Sequence, residues 1–214
     1  MRHYYVTAPR RVEAFDEPVP EPGPGQVLVR LAYTALSPGS NLHVFRTGAY
    51  GAQTGRREEA VYMGSGAVEA IGDGVTRYAP GDRVAMVGVG HQEYAVIAEG
   101  QLGHVDDQLD LRDASISYLS AWSVSALHLG QYTAAETVVV VGLGLVGLSA
   151  ALMADQMGAR VLGVEVDPVR AAHARGLGFG PVESPHETGA DERIAAFLGE
   201  TGADLILETS GSWH

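Results

Sequence analysis

Thr137-Val138-Val139-Val140-Val141-Gly142-Leu143-Gly144-Leu145-Val146-Gly147 reads as a strand that runs through a glycine-rich turn into a helix. Four consecutive valines after a threonine suit a strand buried on both faces, as in a parallel sheet. The spacing Gly-x-Gly-x-x-Gly is weak by itself, but here it directly follows such a strand and opens a helix, the context in which it binds a dinucleotide. Gly142 permits the tight turn. Gly144 lets the backbone approach a pyrophosphate, and Gly147 lets the helix pack close to the sheet. Leu145 and Val146 belong to the same loop, where unpaired N–H groups and the positive end of the helix dipole face the phosphates. The alternative is a glycine-rich turn that holds no ligand.

The next strand, read as Arg160 to Val166, carries Glu165, 23 residues after Gly142. A carboxylate about 20 residues beyond the first glycine is placed to accept hydrogen bonds from the adenosine ribose. It would repel a 2′-phosphate, so NAD(H) is favoured over NADP(H). A solvated strand-end carboxylate is the plainer reading. Asp167 competes for the role, but its place before Pro168 suits a helix cap with proline at the first helical position. Arg170 lies beyond the acid and is a candidate neighbour of the ribose.

Strand and helix alternate onward, with helices at about Asp167 to Arg175 and Asp191 to Leu198 and a strand at Asp204 to Glu208. Upstream, Ala114 to Leu129 is rich in Ala, Ser and Leu and reads as a helix. This is the pattern of a parallel doubly wound α/β sheet. Before Asp113 the character differs. Gln26 to Leu31, Ala67 to Gly72, Arg83 to Val87 and Tyr94 to Ile97 are short strands, separated by turns such as Asp73-Gly74 and Pro80-Gly81-Asp82. Pro18, Pro20, Pro22 and Pro24 cannot donate ladder bonds and mark an extended lead-in. Short strands at this spacing point to a small, partly open barrel.

The 214 residues carry 26 acidic against 14 basic side chains, a formal charge of −12. That charge opposes binding to nucleic acid and to anionic membrane surfaces. With no cysteine, disulfides, thiolate catalysis and Cys-ligated zinc are excluded. Met1 to Tyr5 lacks the apolar core of a signal peptide, and the apolar run Thr137 to Ala154 is too glycine-punctuated for a membrane span. The expectation is a cytoplasmic protein acting on a small molecule.

A barrel followed by a dinucleotide fold resembles the medium-chain dehydrogenase/reductase superfamily. The resemblance rests on Glu17 to Val29, on Val68-Glu69-Ala70-Ile71-Gly72-Asp73-Gly74-Val75 with Pro80-Gly81-Asp82-Arg83-Val84, on the fingerprint with Gly158-Ala159-Arg160-Val161, and on Gly202 to Gly211. A narrower resemblance, through Ala35 to Asn41 and Val61 to Gly66, is to the branch around bacteriochlorophyllide a dehydrogenase. The resemblance implies a GroES-like catalytic domain over residues 1–113 and a Rossmann domain over 114–214. It implies an NAD(P)-dependent enzyme that moves a hydride between NAD(H) and a small alcohol or ketone, and homodimers joined through the nucleotide sheet. Superfamily members usually continue through two more strands, so the nucleotide domain reads as truncated, either as a fragment or as a naturally short chain.

The zinc-dependent members place a cysteine where this chain has Ser37-Pro38, a His-Glu pair at Tyr62-Met63 and a third ligand near Tyr118 to Ala121. None of these is a good zinc ligand, and too few residues lie between Val84 and Tyr94 for a structural zinc lobe. No zinc is therefore expected, and charge on the substrate oxygen must be stabilised by a hydrogen-bond donor. Ser40 and His43 match the superfamily's proton-relay positions. Tyr62, at a former ligand position, is a candidate donor; Arg46 and Tyr50 follow Ser40 and His43 on one segment and are candidates for contact with substrate or adenine. Two alternatives stay open: an NADPH-dependent enoyl or quinone reductase, and a nucleotide-binding protein without catalysis.

Overall fold

The computed structural model describes residues 1–48 and 57–211. It divides into two compact units, Met1–Tyr118 and one beginning at Leu119, a little beyond the change of character at Asp113.

In the first unit, β1 (Arg2–Ala8) and β2 (Arg11–Asp16) form an antiparallel hairpin, which the sequence reading missed. Its turn is Pro9-Arg10, with Arg10 at φ 61°. No glycine or asparagine advertises that turn, and a left-handed arginine is uncommon. β1 also pairs with β4 (Glu58–Glu59) and β7 (His91–Gln92). At this junction His3 is buried, 3.2 Å from Glu17 and 2.8 Å from Glu59 through its two ring nitrogens. Burial, together with the charges of Glu59 and Glu17, pushes the neighbouring Tyr5 phenol up to about 12.

The second sheet of this unit is antiparallel, in the order β8 (Tyr94–Ala98), β3 (Gln26–Ala35), β5 (Met63–Ile71), β6 (Arg83–Val87), β9 (Leu102–His104). Alternate residues Val27, Val29, Val84, Met86, Ala95 and Ile97 point into one core, as the period of a half-buried strand requires. β3 runs past its expected end at Leu31 because two register shifts, at Leu28/Val29 and Leu31/Tyr33, let it follow β5 round a bend. Helix α1 (Ser40–Thr47) follows β3. The single helix expected over Ala114 to Leu129 is two: α2 (Leu111–Ala114) and α3 (Ser117–Leu129). α2 is held apart by local bonds. Asp110 caps it through the Arg112 N–H, the buried Ser65 hydroxyl donates to the Leu111 carbonyl, and Ser115 donates to the Arg112 carbonyl.

The second unit carries a parallel sheet in the order β12 (Val182–Glu183), β11 (Arg160–Val164), β10 (Thr137–Val141), β13 (Leu205–Glu208). β10 lies between two partners, and Val138 and Val140 are fully buried, which stabilises the fold by about 1.5–3 kcal/mol each. α4 (Leu145–Gln156), α5 (Pro168–Arg175) and α6 (Ala190–Leu198) complete the layers. The core face of α4 is Ala150, Ala151 and Ala154, small enough to bring the helix down onto the strands. α5 starts as its sequence indicates: Asp167 accepts the Val169 and Arg170 N–H groups, and Pro168 opens the helix. Among the described residues, no helix is long and apolar enough to cross a membrane.

Candidate functional site

The turn between β10 and α4 is built as its glycines suggest, for reasons now visible atom by atom. Gly142 has φ 85°, and a Cβ there would lie 2.6 Å from the Ser210 backbone. A Cβ on Gly147 would overlap both the Gly142 carbonyl oxygen and the Thr209 hydroxyl. Gly144 differs from both. Its backbone is extended, at φ −68° and ψ −173°, and any residue adopts that. A Cβ on it would meet only the Arg170 Nη1, 4.0 Å away. The protein's own packing therefore does not require glycine at 144, and the space beside it is open. The start of α4 has no side-chain cap, and the first helical bond runs from the Leu148 N–H to the Gly144 carbonyl. Among the described residues the N–H groups of Leu145, Val146 and Gly147 find no acceptor, as at an uncapped helix start. An open cradle beside Gly144 with uncapped N–H groups fits a bound pyrophosphate.

Glu165 follows β11 and is 3% exposed. It is not a solvated strand-end carboxylate. One oxygen accepts the Leu143 N–H at 2.7 Å and the other accepts the Asp167 N–H at 2.9 Å. The second bond turns the chain out of the strand, so β11 ends at Val164 rather than at Val166. An ionised carboxylate has about four acceptor sites, and two bonds leave it acceptor capacity. Arg170 is exposed on α5, and its guanidinium has no hydrogen bond or ion pair among the described residues. Leu145 at the start of α4, Val169 in the first turn of α5 and Val166 between β11 and α5 are exposed apolar side chains.

The turn is held by side chains that sequence reasoning did not single out. The Thr209 hydroxyl lies 2.6 Å from the Gly142 carbonyl oxygen. The fully buried Ser123 on α3 donates to the Val146 carbonyl at 2.9 Å. Thr209 sits in the segment Gly202 to Gly211, but nothing in a hydroxyl's sequence position shows which carbonyl it reaches. Next to it, hydrogen bonds from the Ser210 hydroxyl and N–H hold the Glu208 carboxyl below the usual carboxylate range.

The other candidates lie in the first unit. Ser40 and His43 are both exposed and share one face of α1, a turn apart; among the described residues no hydrogen bond joins them. Tyr62, just before β5, is half-buried and meets Tyr118 edge to face, ring centroids 6.0 Å apart. Ser37 is buried, its N–H bound to Asn41 Oδ1 at 2.7 Å, and Met63 is fully buried. Tyr50 lies outside the described residues. Among those residues, no group of three or more His, Cys, Asp or Glu side chains is arranged to hold a metal ion.

Residues 23–141 match the family described as alcohol dehydrogenase GroES-like domain, and residues 146–214 match the one described as zinc-binding dehydrogenase. The chain is 27% identical to a sorbitol dehydrogenase of Halalkalibacterium halodurans, over 92% of this chain and 66% of that one. It is 29% identical to a human quinone oxidoreductase, over 90% and 60%. The crystal structure of an NAD-dependent alcohol dehydrogenase, 26% identical, superposes with a TM-score of 0.82 over 96% of this chain and 70% of that chain. The chain thus spans about 60–66% of the two curated relatives it matches here. A GroES-like family match over more than half of the chain, joined to a parallel sheet with a dinucleotide turn, makes this chain a member of the medium-chain dehydrogenase/reductase superfamily.

Proposed function

We propose that this chain is an oxidoreductase that binds NAD(H) and moves a hydride between the nicotinamide and a small alcohol or ketone without zinc. The observation that carries the cofactor reading is the open space beside Gly144 at the uncapped start of α4, which leaves room for a phosphate to approach the backbone. When bound, the nicotinamide supplies the hydride. Residues Gly142 to Gly147 hold the pyrophosphate through backbone N–H groups, and the spare acceptor capacity of Glu165 takes the ribose hydroxyls. Arg170, near Gly144, adds positive charge to the same crevice.

The family description names zinc, and the residues at its expected ligand positions do not fit that metal. Ser37 offers a neutral hydroxyl rather than a thiolate, imidazole or carboxylate, Met63 is buried in the sheet and Tyr62 is packed on Tyr118. Pro38 has no donor atom to offer. Stabilising the substrate oxygen therefore falls to a hydroxyl donor, with Tyr62 or Ser40 donating and His43 passing the proton outward. Purified protein is expected to lack stoichiometric zinc and to keep its fold and nucleotide affinity in chelator. About one zinc per chain by elemental analysis would overturn the zinc-free reading.

The test of the whole reading is a fluorescence titration with NADH and NADPH, followed by turnover on alcohol and ketone panels. A preference for NADH on the order of tenfold to a few hundredfold is expected, since a 2′-phosphate removes charged hydrogen bonds of about 1.5–3 kcal/mol each and sets two anions together. Tyr62→Phe should lower kcat by roughly 10²-fold while leaving the NADH Kd unchanged; an unchanged kcat removes Tyr62 from the chemistry. The similarity to a quinone oxidoreductase favours a second reading, reduction of a quinone or enone. NADPH preference with turnover confined to those substrates would establish it. NADH binding without turnover of any panel would instead mark a nucleotide-binding protein without catalysis.

A further inference from the structure

The Gly142 carbonyl and the Leu143 N–H are the two ends of one peptide plane, and a side chain from each flanking strand grips one end. The Thr209 hydroxyl, just beyond β13, donates to the Gly142 oxygen at 2.6 Å. The Glu165 carboxylate, just beyond β11, accepts the Leu143 N–H at 2.7 Å. The Thr209 hydroxyl also lies 3.0 Å from the Val141 carbonyl. That carbonyl already accepts the Thr209 N–H at 2.8 Å, and a hydroxyl has one proton, so the shorter contact to Gly142 is the one it makes. Gly142, at φ 85°, is the one residue of this plane without a Cβ to restrict rotation about it.

We infer that Thr209 and Glu165 form a peptide-plane lock, with Thr209 as a positioning residue for the dinucleotide turn; this rests on the cofactor reading above. Rotating the plane by half a turn would bring the Gly142 oxygen against the Glu165 carboxylate and leave the Thr209 hydroxyl without that acceptor. The lock therefore fixes which way the carbonyl and the N–H of that peptide point within the turn. It orients that peptide before any ligand arrives, and such preorganisation is what affinity rewards. It also gives the third glycine a sharper reason than helix packing: a Cβ at 147 would occupy the space of the hydroxyl and the carbonyl oxygen together.

The experiment compares wild type with Thr209→Val, which keeps the shape and removes the hydroxyl, and Thr209→Ser, which restores it. The readouts are NADH affinity, circular dichroism and hydrogen exchange over residues 142–147 without nucleotide. Thr209→Val should keep its secondary structure, raise the NADH Kd about tenfold, as loss of one hydrogen bond in a preorganised site does, and speed exchange over 142–147. Thr209→Ser should return both to near wild type. Wild-type affinity together with wild-type exchange in Thr209→Val overturns the lock. So does equal loss in Thr209→Val and Thr209→Ser, because methyl packing would then be the cause. If wild type binds neither NADH nor NADPH, the cofactor reading fails, while faster exchange in Thr209→Val still reports the lock as a feature of the turn. A Thr209→Val protein that does not fold overturns a purely positioning role if Thr209→Ser fails with it, and supports a hydroxyl-dependent turn if Thr209→Ser binds normally.

Discussion

Gly144→Val is expected to abolish binding of NADH and NADPH alike, by 10²-fold or more, and to leave the melting temperature within about 2 °C of wild type. The two halves of this result have separate causes. Valine accepts the backbone conformation at 144, extended at φ −68°, and its Cβ would have only the Arg170 guanidinium near it, at 4.0 Å. The guanidinium is the far end of a flexible side chain and can yield. Folding thus loses little, as for a substitution that meets no packed neighbour. The branched side chain would fill the cradle at the uncapped start of α4, where a phosphate must come within hydrogen-bonding reach of the backbone N–H groups. Thermal denaturation and fluorescence titration on the same preparation check both halves. Retained binding would remove the dinucleotide from this turn, and the oxidoreductase reading with it.

Glu165→Ala should be among the most destabilising single substitutions in the second unit, and its NADH preference should collapse as well. Two backbone N–H groups, of Leu143 and Asp167, lose their acceptor at once. Leu143 is buried, so water does not readily replace the carboxylate there. An unsatisfied buried donor costs about 1–3 kcal/mol, and bonds to a charged acceptor lie at the upper end. A loss on the order of 3 kcal/mol would lower the melting temperature of a unit this size by at least about 10 °C. The variant should bind NADH poorly and distinguish it little from NADPH, because the turn and the 2′-phosphate repulsion go together. Glu165→Gln, which keeps one acceptor oxygen, should fall between. A melting temperature unchanged in Glu165→Ala would show that the carboxylate serves only the ribose and braces nothing.

The elements that carried a clear period or a clear boundary were readable before any coordinates. β10 and β6 begin and end where their apolar runs do. Asp167-Pro168 opens α5 as a cap and a first-turn proline should. The glycine spacing was legible along the chain, but what excludes a side chain at Gly142 and Gly147 includes Ser210 and Thr209, distant in sequence. Elements built from less regular patterns were missed. β1 carries His3, Tyr4 and Tyr5 on a strand of mixed burial, and β4, β7 and β12 are two residues each, too short to show any alternation. The break between α2 and α3 depends on a hydroxyl on β5, distant in sequence, reaching the Leu111 carbonyl.

For the site, local sequence was enough to specify a strand, a turn with glycines at three positions and a helix start, because each is a matter of backbone sterics and periodicity within about 30 residues. It also placed an acid at the right distance along the chain. What that acid touches was decided by the folded sheet. Strand β11 flanks β10 after one crossover and β13 after three, and that pairing delivers Glu165 to one end of the Gly142–Leu143 peptide and Thr209 to the other. Residues 22 and 67 positions away in the chain are brought within hydrogen-bonding distance of the turn. A hydrogen bond acts over about 3 Å, so which distant donor and acceptor meet is set by packing, and no local pattern of residues encodes it.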